Sequence, residues 1–78
     1  MTEPKNAIGP KLMRIRSRLG LSQEKLAAKC QLAGWDVSRD IVARIELQIR
    51  RVTDLELLEI ARILKVPVDA LLPRRKSK

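Results

Sequence analysis

Arg39, Asp40 and Arg44 fall within one short segment, Arg44 a single helical turn beyond Asp40, and Arg50 and Arg51 follow a few residues later. Such side chains act through hydrogen bonds. A guanidinium can grip guanine through two parallel hydrogen bonds, and a carboxylate can accept one from the N4 amino group of cytosine. Two plainer readings stand beside these. Arginines at such positions also make a solvated charged face, and an acid in a first helical turn suits the helix dipole. Other chemistry lacks its residues: the chain has no histidine and one cysteine, Cys30. With no nucleophile beside a base and no glycine-rich phosphate loop, neither an enzyme nor a metal or cofactor site is expected. Cys30 reads as a small buried helix residue.

The charge balance says what such a surface would meet. Lys plus Arg number 17 against 9 Asp plus Glu, a formal charge of +8 on 78 residues. That points to a polyanion, either nucleic acid or an anionic membrane. The excess is uneven: Lys11 to Arg51 holds ten basic and four acidic residues, Thr53 to Asp69 two basic and four acidic. Trp35 is the only aromatic residue, which offers no stacking platform for RNA bases. No apolar run approaches the roughly 18 residues of a membrane span, and no charged-then-apolar leader opens the chain. A cytoplasmic, nucleoid-associated protein without a membrane partner is the expectation. The length suits one domain, expected over residues 8–72 between a flexible N-terminal arm, 1–7, and a basic flexible tail, 73–78.

The apolar pattern supplies the elements that would position these groups. Ile8, Leu12, Ile15 and Leu19 share one helix face, and Gly20 supplies a stop. Ser22 can cap a second helix running through Cys30, with Leu21 stapled to Leu26. The small Ala27 and Ala28 would let another helix cross closely. Ser38 and Val37 repeat the device for a third helix, about Arg39–Leu47, whose inner face is Val42 and Ile45. Thr53 with Glu56 forms a capping box, and Val52 with Leu57 a staple, at the start of a fourth. Its many leucines and isoleucines predict that this helix is the central buried one. Pro67 and Pro73 bracket a short fifth. An all-α, five-helix orthogonal bundle follows.

Gly20-Leu21-Ser22-Gln23-Glu24-Lys25-Leu26-Ala27 and Ser38-Arg39-Asp40-Ile41-Val42-Ala43-Arg44-Ile45-Glu46, followed by Arg51-Val52-Thr53-Asp54-Leu55-Glu56-Leu57, resemble the Cro/repressor-type, or XRE-type, helix-turn-helix family. The resemblance implies the lambda-repressor-like fold, with helices 2 and 3 as the helix-turn-helix. It also implies sequence-specific binding of double-stranded DNA by a bacterial or phage transcriptional regulator. Two departures stand out. The connector Gln31–Asp36 is about five residues longer than the usual family turn, so the docking of the helix pair is expected to shift. Where the family often has a glycine to end helix 3, this chain has Gln48, so the helix is expected to run longer or to end in strain.

The resemblance assigns roles residue by residue. Gln23 grips a phosphate or buttresses a base contact, or is merely solvated. Ser38 is first a cap and then a phosphate or base contact. Arg39, Asp40 and Arg44 lie on the outward face of helix 3, while Arg50 and Arg51 reach phosphates, with Lys5 and Lys11 as lesser additions. Arg16 and Glu46 form a structural pair that holds the recognition helix. Ile41 packs against the long turn or touches a thymine methyl, and Trp35 plugs the gap between helices 2 and 3. A homodimer on an inverted-repeat operator is expected, with Val66, Val68, Leu71 and Leu72 as its interface. The alternatives are an antitoxin with a toxin partner, a restriction-modification controller protein, and a helical protein-interaction module.

Overall fold

A computed structural model describes residues 3–73. Among them are four α-helices and no strand: α1 Gly9–Arg18, α2 Gln23–Leu32, α3 Arg39–Glu46 and α4 Asp54–Leu64. The starts follow the sequence. Ser22, Ser38 and Thr53 each accept a hydrogen bond from the backbone N–H three residues on, and Thr53 and Glu56 complete the capping box.

All four helices end alike. Each closes through a residue in the left-handed conformation: Gly20 (φ 74°), Gly34 (φ 93°), Gln48 (φ 65°) and Lys65 (φ 59°). Behind each, two backbone N–H groups reach back to carbonyls of the last turn, as in Gln48 to Ile45 and Ile49 to Arg44, both 3.0 Å. This is the Schellman closure, which satisfies carbonyls that a helix end leaves orphaned. Gln48 therefore ends α3 promptly without glycine, and its Nε2 donates to Asn6 O at 3.0 Å.

The core is aliphatic. Leu12 of α1, Leu26, Ala27 and Cys30 of α2, Val42 and Ile45 of α3, and Ile60, Ala61 and Leu64 of α4 meet Ile8, Val37 and Leu71. Ala27 alone serves the helix crossing, because Ala28 faces outward. Burial and a nearby Glu59 carboxylate push the Cys30 thiol up to about 11, as an apolar site disfavours the thiolate.

Three expectations need correction. The fifth helix is only a 3-10 turn, Val68–Ala70, since Pro67 and Pro73 leave too few residues between them for an α-helix. α2 runs two residues past Cys30, to Leu32. The rest of the connector folds back, fixed by Gln31 Nε2 donating to Val37 O at 2.7 Å, with Val37 buried and Trp35 packed on the core. Finally, α4 is not the central buried helix: Leu55 and Leu58 point outward, 75% and 54% exposed.

Candidate nucleic-acid interface

α3 has two unlike faces because its eight residues alternate between apolar and charged at helical spacing. Val42, Ile45 and Glu46 point inward. Arg39, Asp40 and Arg44 point to solvent. Ile41 is half-buried against the core, and the Ser38 hydroxyl accepts from the Ile41 N–H at 3.3 Å. On the outer face Arg44 Nε donates to Asp40 Oδ2 at 3.0 Å, with the two side chains 58% and 73% exposed.

The inner face is anchored by a second arginine–carboxylate pair. Arg16 Nε donates to Glu46 Oε2 at 2.6 Å and Nη2 to Oε1 at 3.1 Å, and the remaining Nη1 reaches Leu21 O at 2.7 Å. The Glu46 side chain is 2% exposed. Gln23 Nε2 donates to Glu46 Oε1 at 2.9 Å, so Gln23 joins this network. One carboxylate thereby ties α1, the start of α2 and the end of α3 together, and the fork of Arg16 matches its geometry. Gly9 brings α1 against the same end of α3, since an added Cβ would lie 2.6 Å from Ile45 O and 2.7 Å from Glu46 O.

Arg50 and Arg51 part company. Arg50 donates through Nη1 and Nη2 to the two oxygens of Glu56, at 3.1 and 3.3 Å. It is thus drawn into the capping box of α4. Burial pushes the Glu56 carboxyl up, but the hydrogen bonds from Arg50 and Thr53, with the Arg50 charge, outweigh it and hold the group below its ordinary value. Arg51 is exposed. Lys11 is half-buried on α1, and Lys5 is exposed but has its backbone N–H bonded to Gln48 O at 2.8 Å.

Asn6, within the expected N-terminal arm, is a structural hub. Its Oδ1 accepts from the Ile8 and Gly9 N–H groups at 3.0 and 2.9 Å, capping α1, and its Nδ2 donates to Ile45 O and Arg50 O at 3.1 and 2.8 Å. All four hydrogen bonds an amide can make are formed. The signal was an asparagine just before a helix that begins Gly-Pro. Residues 74–78 of the expected basic tail lie outside the described residues.

Of the apolar residues expected at a subunit interface, Val66, Val68 and Leu72 are half-buried, but Leu71 is 0% exposed. It fills this chain's own core, because the single 3-10 turn swings it inward, and leaves nothing for a partner to touch. Trp35 lines a groove with Gly34, Leu55, Glu56 and Glu59, so it covers the α4 side of the connector. Among the described residues no group of His, Cys, Asp and Glu could hold a metal, and no helix is long and apolar enough to cross a membrane.

The helix-turn-helix family model matches residues 12–71. Among solved structures, the DNA-binding domain of BldD is 36% identical, over 94% of this chain and 99% of that one, with a TM-score of 0.76. The BldD DNA-binding domain from S. venezulae is 32% identical over 92% and 100%, TM-score 0.74. The restriction-modification controller protein C.AhdI from Aeromonas hydrophila is 32% identical over 83% and 87%, TM-score 0.70. No curated protein matches the chain.

Proposed function

Because this chain belongs to the XRE-type helix-turn-helix family, we propose that it regulates transcription by binding a specific double-stranded DNA sequence, with α3 in the major groove. The carrying observation is the two-faced α3: Arg39, Asp40 and Arg44 stand exposed on a helix whose other face is locked to α1 and α2. A rigid helix with free hydrogen-bonding groups is what base readout requires. Arg51 serves as a phosphate ligand, and Gln23, Ser38 and Arg50 act mainly by fixing the frame. The protein works without a cofactor, in the cytoplasm and on the nucleoid. A gel-shift assay compares duplex from the gene's own upstream region with scrambled duplex, RNA and anionic vesicles. Preference for the upstream duplex supports the reading, and equal binding to all four overturns it.

A single recognition helix reads only a few base pairs, so the proposal includes a two-fold dimer on an inverted repeat with half-sites one helical turn apart, about 34 Å. The candidate apolar contacts are the exposed Leu55 and Leu58 of α4 and the half-buried Val66, Val68 and Leu72 that follow it. Leu71→Asp would disrupt the core, so Leu58→Asp is the informative variant. It is expected to fold and to lose cooperative binding. The likeness to C.AhdI favours one second reading, a controller of a restriction-modification system; restriction and methylase genes beside this one would support it.

A further inference from the structure

We infer that Asp40 is a positioning residue for Arg44: it holds the guanidinium by Nε, presents the terminal nitrogens to a guanine, and does not itself read a base. This rests on the DNA-binding reading above. Arg44 lies one turn beyond Asp40, and the pair engages Nε through Oδ2 at 3.0 Å. The contact involves no terminal nitrogen of Arg44, so both stay available for guanine O6 and N7, the acceptors that arginine grips in the major groove. An unrestrained arginine on an exposed helix face must lose the freedom of a long side chain when it docks. One already held at its base loses less, and the saving favours the single geometry in which it is held.

The charge of Asp40 points the same way. A carboxylate on the outer face of α3 is repelled by every phosphate it approaches, so it weakens attachment to duplex of any sequence. Beyond suiting the dipole of α3, its negative charge helps DNA recognition only if it raises the difference between right and wrong sites. Paired with Arg44 it does both: it lowers indiscriminate attraction and fixes an arginine that discriminates. A carboxylate reading cytosine would carry the same charge but would specify a different base pair from that of Arg44. The two roles are separable by where the preference changes.

Random duplex libraries selected with the wild type, Asp40→Ala, Asp40→Asn, Arg44→Ala and the double alanine variant make the test, with thermal melts to confirm folding. The expected wild-type motif holds a guanine whose preference Arg44→Ala abolishes. Asp40→Ala should weaken preference at that same base pair about tenfold, with unchanged or tighter binding to scrambled duplex. Asp40→Asn should keep the guanine, because the amide oxygen still accepts from Nε. In base preference the double variant should match Arg44→Ala alone. A changed preference at a different base pair, or effects that add in the double variant, would show Asp40 reading a base and overturn the inference. So would unaltered preference in Asp40→Ala. A wild type that enriches no motif overturns the DNA-binding reading and this one with it.

Discussion

Two arginine–carboxylate pairs flank the same helix and differ in almost everything but chemistry. Inside, Arg16 and Glu46 meet in two hydrogen bonds, with the carboxylate almost wholly removed from water. Outside, Arg44 and Asp40 share one bond in solvent. In the first, each partner is a condition for burying the other, since a lone desolvated charge is costly. In the second, either partner can leave at little cost to the fold, because water replaces it. The inner pair holds α3 in place, and the outer pair leaves the terminal nitrogens of Arg44 free for a ligand.

The largest effect should come from breaking the inner pair. Glu46→Ala strands the Arg16 guanidinium and should cost about 3–5 kcal/mol of stability, as should Arg16→Ala. The double variant should cost much less than the sum. Urea denaturation measures all three, and an unchanged midpoint in either single variant would end the contrast.

Next is Gly9→Ala. Its methyl group would press on the Ile45 and Glu46 carbonyls, which cannot retreat while Glu46 is tethered. A loss of about 1–3 kcal/mol is expected. Stability equal to wild type would mean that α1 and α3 can separate without cost.

The outer pair should invert the pattern. Arg44→Ala should lower stability by no more than about 0.5 kcal/mol yet weaken binding to the preferred duplex by about 1–3 kcal/mol. Arg51→Ala should weaken every sequence alike. Isothermal titration against matched and scrambled duplexes separates these, and identical profiles would erase the distinction between reading and gripping.

The smallest effect concerns Glu56, intermediate between the two pairs. Its folded value lies below the ordinary 4.5, so its contribution is fully present above 4.5 and is lost as pH falls through the lowered folded value. Glu56→Gln should therefore flatten the acid limb of the stability curve by less than about 1 kcal/mol. Steepening of that limb in the variant would contradict the sign.

The helix starts were legible because each is a local device: Ser22, Ser38 and Thr53 act on an amide three residues away. So was the Arg16–Glu46 pair, through the family pattern. Of the ends, the stop at Gly20 was legible, but those at Gln48 and Lys65 were not, for these two adopt a conformation that their residue types rarely take, under pressure from orphaned carbonyls. Asn6 was missed because half its bonds go to Ile45 and Arg50, far along the chain. The outward leucines of α4 misled for the opposite reason. Composition tells that a helix is apolar on several sides, but only the tertiary arrangement tells which side the rest of the molecule reaches.

Gly9 has a consequence for how this protein can diverge. With α1 seated directly on the carbonyls at the end of α3, the position of the recognition helix depends on backbone atoms that no substitution at 39, 40 or 44 alters. Those three positions can therefore drift through many residue types while the frame stays still, and a descendant could acquire a new operator without first losing its fold. The same seat makes Gly9 itself nearly immovable. The freedom to vary on one face of α3 is secured by a position that has almost none.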